Sequence, residues 1–116
     1  MSTASPSVDA KGAIVVGCSP APGAKCARAT VVNADWSGRD LSGIDLSSAT
    51  LLNTNLSGAI LNRADLSTAT VMQVNLTGTS LRGADLRDAV IASTDLSVAI
   101  TGPKTTCPNG EPGPCS

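Results

Sequence analysis

From Trp36 to Leu96 every fifth residue is large and apolar, with mostly alanine two residues before it. The central positions are Trp36, Leu41, Leu46, Leu51, Leu56, Leu61, Leu66, Val71, Leu76, Leu81, Leu86, Ile91 and Leu96. This period matches neither an α-helix, with about 3.6 residues per turn, nor a strand, with about 2. It fits a chain that turns a corner every five residues and buries two side chains per side. Such turns must stack on one another, which predicts a solenoid.

A second period of twenty residues is visible in the positions just before the central ones. Residues of the same kind recur there in steps of twenty: Thr30, Thr50, Thr70 and Val90; Asp35, Asn55, Asn75 and Asp95; Asp45, Asp65 and Asp85. Gly38, Gly58 and Gly78 mark one corner in the same way. The pattern predicts a coil of four five-residue sides.

The segments Ala-Asp-Leu-Ser-Thr at 64–68, Ala-Asp-Leu-Arg-Asp at 84–88 and Thr-Asn-Leu-Ser-Gly at 54–58 resemble the pentapeptide-repeat family, whose consensus is A-(D/N)-L-x-x. The resemblance covers residues 29–98. It implies an all-β fold, a right-handed quadrilateral β-helix, here with about three and a half coils. Because that family is a scaffold with several roles, the resemblance implies a fold rather than an activity.

We expect a single domain in four parts: a flexible segment at 1–12, an N-terminal strand and cap loop at 13–28, the β-helix at 29–102 and a tail at 103–116. Trp36, the only aromatic residue, is expected to plug the N-terminal end. Arg39 and Ile44 occupy positions where the repeat has a small inward residue. We therefore expect the first coil to be partly open or in contact with another molecule.

Four cysteines bracket the repeats. Cys18 and Cys26 enclose seven residues, as do Cys107 and Cys115, and both loops are rich in Pro and Gly. Two local disulfides, Cys18–Cys26 and Cys107–Cys115, are the simplest of three connectivities. Disulfides predict a secreted, cell-surface or periplasmic protein. The tail resembles those of exported bacterial pentapeptide-repeat proteins, although no signal peptide is visible in this chain.

Composition excludes several functions. The chain has a net charge of −1, no His and no Tyr. We therefore expect no nucleic-acid binding, no metal site, no cofactor, no membrane span and no enzymatic activity. The column of Asp45, Asp65 and Asp85 is interpreted as consensus turn residues. Its alternative interpretation is the acidic surface of a DNA-mimic inhibitor of gyrase, which the family resemblance implies.

One side of the predicted coil is apolar on its outer surface. We call it the Thr/aliphatic wall; it comprises Thr30, Val32, Thr50, Leu52, Thr70, Met72, Val90 and Ala92. Exposed apolar stripes usually mark contacts. Three interpretations remain open: a terminal segment such as 13–16 folds over the wall, another protein or a second copy docks there, or the threonines form an ice-binding face.

These observations favour a non-enzymatic structural or interaction protein that associates with itself. Either walls pair laterally into a dimer, or coils stack end to end into an extracellular fibre. The gyrase-type inhibitor is the first alternative, and the ice-binding module is the second.

Overall fold

The computed structural model describes residues 7–8 and 12–115, and this part of the chain is mostly β. Six short strands form one sheet in chain order: β1 (Ser7–Val8), β2 (Ile14–Val16), β3 (Thr30–Val32), β4 (Thr50–Leu52), β5 (Thr70–Met72) and β6 (Val90–Ala92). The first two pairings are antiparallel, and β3 to β6 pair in parallel. A single 3₁₀ turn follows at Leu96–Val98. Of the predicted flexible segment 1–12, only 7–8 and Gly12 lie within the described residues.

Parallel pairing with the same twenty-residue step recurs on three further sides of the molecule. One line of bridges runs through Asp35, Asn55 and Asn75, a second through Asp40, Ile60, Ser80 and Ile100, and a third through Lys25, Asp45, Asp65 and Asp85. Between residues 25 and 100 the chain therefore returns to the same four lines of pairing once every twenty residues. This is the register that the sequence period predicts.

The corners between these sides have one backbone conformation in common. Every fifth residue from Arg28 to Ser93 has a positive φ, between 47° and 73°. Glycine adopts this conformation without steric cost, as at Gly58, but most corners are not glycine. Thr68, a β-branched residue at φ 58°, donates its hydroxyl to the Ser67 carbonyl at 2.6 Å. The five-residue period is thus set by a left-handed residue two positions after each central side chain.

The core is a narrow column of leucine and alanine. The leucines at the central positions from Leu41 to Leu86, and the alanines two residues before them, are almost fully buried. Such a column has no room for a layer of aromatic rings. The one tryptophan, Trp36, is buried at the N-terminal end, as predicted. Ile44 is buried too, whereas Arg39, at a position where the repeat has a small inward residue, is exposed. A guanidinium buried without a partner would lose its hydration, and the first coil lets it reach solvent.

Threonine replaces alanine or another small residue at some inward positions, and its hydroxyl is satisfied there. Thr105 is fully buried and donates to the Leu81 carbonyl at 2.7 Å. Thr79 is equally buried and donates to the carbonyl of Leu56. These bonds link one coil to the one before it. Among the described residues, every buried side-chain nitrogen and oxygen has a partner.

Candidate interaction surface

The Thr/aliphatic wall is the outer face of strands β3 to β6. In each strand the middle residue points into the core, and its two neighbours are partly or fully exposed. Parallel pairing without a shift aligns Thr30, Thr50, Thr70 and Val90 in one column and Val32, Leu52, Met72 and Ala92 in the other. Val90 is 55% exposed and Met72 is 39% exposed. The predicted residues therefore lie together on one flat face.

Strand β2 enlarges this face instead of covering it. Ile14 pairs with Val32, Val15 with Val31 and Val16 with Thr30, so the segment lies beside the first coil. Because Val31 is buried, Val15 shares the inner face, and Ile14 and Val16 continue the two outer columns. The segment 13–16 therefore does not cover the wall, so this example of a covering terminal segment is wrong. The uncharged face of the wall is one strand longer than the repeats alone provide.

The acidic column lies on a different side and is occupied by turn hydrogen bonds. Asp45, Asp65 and Asp85 each accept the backbone N–H two residues later, at 2.9 to 3.0 Å. Asn55 makes the same bond to Ser57 N–H at 3.0 Å without a charge. The carboxylates therefore build corners, as expected for consensus residues. Between residues 12 and 115 no cluster of His, Cys, Asp or Glu is placed to hold a metal ion.

Asp45 links this turn geometry to pH. Its pKa lies below the ordinary value because the Ser47 hydroxyl and then the Ser47 backbone N–H donate to the ionised carboxylate. A depressed folded-state pKa contributes stability that is present above the unfolded pKa of about 3.9 and is lost as the pH falls through the folded value.

We expect Asp45→Asn to keep the turn, as Asn55 does, and to flatten the fall of Tm in acid. Thermal unfolding followed by circular dichroism between about pH 6 and about pH 2 measures this effect. Ser47→Ala, which removes the hydroxyl donor, should flatten the profile in the same direction but less completely. A profile of Asp45→Asn that superimposes on the wild type would refute the assignment.

The cysteines pair locally, as the simplest connectivity predicts. Cys18–Cys26 and Cys107–Cys115 are disulfides with Cα–Cα distances of 4.7 Å and 5.5 Å, and no described cysteine is free. The first lies at the end where β2 pairs with β3. At the other end Thr106 bridges Asp85 in parallel and Pro112 in antiparallel fashion, so the tail folds back on itself. Both disulfides therefore fasten segments that close the ends of the repeat region.

A hollow of about 310 Å³ lies beside Trp36, lined in part by Cys18, Pro20 and Arg39. Trp36 itself is only 3% exposed, so its ring serves mainly as packing. The described residues include no helix that is long and apolar enough to cross a membrane.

Comparison with known proteins agrees with the repeat register. The family model described as "Pentapeptide repeats" matches eight copies, at residues 40–78 and 72–99. A comparison with curated protein sequences finds no match.

Several solved structures are similar to the chain, and three of them are described below. HetL, a pentapeptide repeat protein involved in heterocyst differentiation regulation in the cyanobacterium Nostoc, is 24% identical, with a TM-score of 0.48; the match covers 78% of this chain and 52% of HetL. Rfr23 from the cyanobacterium Cyanothece is 34% identical, with a TM-score of 0.39; the match covers 70% of this chain and 62% of Rfr23. A protein from the Arabidopsis thaliana thylakoid lumen is 24% identical, with a TM-score of 0.23 and coverage of 65% and 59%. The matches thus span about half to three fifths of these longer chains.

Proposed function

We propose that this chain, which belongs to the pentapeptide-repeat family, forms a right-handed quadrilateral β-helix of about three and a half coils. We propose further that it acts without catalysis, as a structural protein that associates with itself. The contact is lateral, wall against wall, between two copies. The single observation that carries the proposal is the uncharged Thr/aliphatic wall, extended by Ile14 and Val16 and left uncovered by 13–16.

A second copy suits this wall better than a charged partner does. Its two columns carry only threonine and aliphatic side chains, so two walls related by a two-fold axis oppose each other without like-charge repulsion. The flatness of the face follows from unshifted parallel pairing. Threonine hydroxyls on one copy can then bond to those of the other while the aliphatic columns exclude water.

The closed ends favour lateral contact over a fibre built end to end. At the N-terminal end β2 and β1 continue the sheet in antiparallel fashion, so β3 has no free edge for another coil. At the C-terminal end the Cys107–Cys115 loop occupies part of the last coil. Added strands and loops at the ends are the usual means of preventing edge-to-edge growth.

The size of the wall sets the expected affinity. Five strands about 4.8 Å apart and three residues wide, at about 3.3 Å each, give a face of roughly 24 by 10 Å. Stable complexes usually bury about 800 Å² per partner, which is more than this face supplies. We therefore expect a weak dimer that forms at micromolar to millimolar concentration.

Two disulfides support an oxidising location, and we propose that the protein is secreted, on the cell surface or periplasmic. Local pairing also supports the lateral mode, since both cysteine pairs are used within the chain and none remains for linking copies.

Leu52→Lys tests the proposal. A lysine in the middle of the wall places two like charges in the two-fold contact, so the dissociation constant should rise at least tenfold, equivalent to about 1.4 kcal/mol. Sedimentation velocity over a concentration series measures it. Ile60→Lys is the matched control, because Ile60 is 38% exposed on a different side. Equal association of both variants and the wild type would exclude the wall as the contact.

A further inference from the structure

Three cationic side chains gather at one corner of a chain whose net charge is −1. A hollow of about 510 Å³, next to the Asp85 side, is lined by Arg63, Arg82 and Lys104 and by no acidic residue. None of the three cationic groups has a hydrogen-bond or ion-pair partner within the described residues. Unpaired cations around a concave surface make a site of positive potential.

One backbone N–H group at this corner lacks the carbonyl acceptor that the equivalent group has at most other corners. Corner N–H groups normally bond to a carbonyl of the following coil: Gly43 donates to Asn62 and Arg63 donates to Arg82, each at 2.9 Å. Gly83 has no such acceptor in the described part of the chain. Its missing partner is explained by register, because Asp85 pairs with Thr106, twenty-one residues on instead of twenty. One extra residue near Pro103 carries the chain away from the corner.

The preceding N–H, that of Arg82, also has no acceptor among the described residues. At most other corners an Asp or Asn side chain two residues earlier accepts this bond, as Asp85 does from Arg87 at 2.9 Å. Here the position is Ser80, whose hydroxyl donates to the Asn62 side chain instead. Two successive backbone donors, on residues that line the hollow, are therefore without a protein acceptor in the described part of the chain, and Gly83 has a φ of 73°. Successive backbone N–H groups in turns can form anion-binding concavities, known as nests.

We propose that this corner binds the phosphate or sulfate group of a small molecule. The oxyanion accepts hydrogen bonds from the backbone N–H groups of Arg82 and Gly83. Its charge is neutralised by the side chains of Arg63, Arg82 and Lys104. Glycine at position 83 is part of the site, since a Cβ there would meet the Arg63 Cγ at 3.2 Å. The hollow has room for more than one such group, which favours a pyrophosphate-like ligand.

Amide NMR titration with sodium phosphate, sodium pyrophosphate and sodium sulfate at low ionic strength tests the site. We expect saturable downfield shifts of the Gly83 and Arg82 amide protons, tightest for pyrophosphate if the natural ligand carries phosphates and for sulfate if it carries sulfates. Arg82→Gln should weaken binding about tenfold or more, as expected for loss of a charged hydrogen bond. Arg87→Gln, an exposed arginine that does not line the hollow, should leave it unchanged.

Deletion of Pro103 provides an independent variant, because it restores the twenty-residue step and gives Gly83 N–H a carbonyl partner. We expect the deletion to keep all three cations and still lose the saturable shift. The proposal is overturned if the Gly83 amide does not respond to any of the three anions. It is equally overturned if Arg87→Gln weakens binding as much as Arg82→Gln, since that would indicate attraction by overall charge alone.

Discussion

Replacing Leu61 with alanine is expected to lower the free energy of unfolding by about 3 to 5 kcal/mol. Leu61 is fully buried, and Leu41 and Leu81 occupy the same position in the coils on either side. The cavity between the central leucines has a volume of only about 10 Å³, so the core is tightly packed. Coils held in parallel register by backbone bonds cannot collapse independently into the cavity that the mutation creates.

Urea unfolding monitored by circular dichroism gives this free energy. Ile60→Ala is the control. Ile60 is next to Leu61 in the sequence but is 38% exposed, so its replacement should lower the free energy of unfolding by less than about 1 kcal/mol. A loss for Leu61→Ala no larger than that for Ile60→Ala would mean that the core is not a continuous stacked column.

Removing the Cys107–Cys115 disulfide is also expected to lower the stability of the protein substantially. The closed loop is short, with a sequence separation of 8, for which the chain-entropy model gives about 2.5 kcal/mol. The bridge fastens a segment that accepts two bonds from the last coil, Leu86 N–H to Thr106 at 2.8 Å and Asp88 N–H to Pro108 at 3.0 Å. Without the disulfide, the segment that accepts these two hydrogen bonds gains conformational freedom, so the bonds break more easily. The last coil should therefore unfold first.

Cys107→Ser with Cys115→Ser should therefore lower the urea midpoint, and hydrogen exchange should accelerate at Leu86 and Asp88 before it does at Leu46. The matched double variant, Cys18→Ser with Cys26→Ser, should instead accelerate exchange near Trp36. If either variant accelerates exchange uniformly along the repeats, the disulfides act on the whole chain and not on its ends.

The sequence predicts the repeat register well because each five-residue unit carries its own signal. Leu61 and Ala64 occupy inward positions, Asp65 accepts a turn hydrogen bond, and the same relations recur twenty residues later. The two disulfides follow from equal spacing of the cysteines. The same residues predict family membership, which the family match confirms.

Features that depend on contacts outside the repeat could not be predicted. The extension of the wall by Ile14 and Val16 depends on antiparallel pairing across a loop that has no repeat signal. The exposure of Arg39 depends on where the first coil ends. The unpartnered amide of Gly83 depends on a single extra residue near Pro103, whose effect on pairing appears only when the two coils are superposed.

The measurement that tests the central claim most directly is the mass of the wild-type protein in solution as a function of concentration, by sedimentation equilibrium with and without reductant. Lateral pairing through the Thr/aliphatic wall predicts that the mass rises reversibly from 11.5 kDa towards twice that value and no further. As long as the chain stays folded, reductant should not change this mass. A mass that stays at 11.5 kDa up to millimolar concentration would contradict self-association. Growth beyond a dimer would contradict the lateral contact.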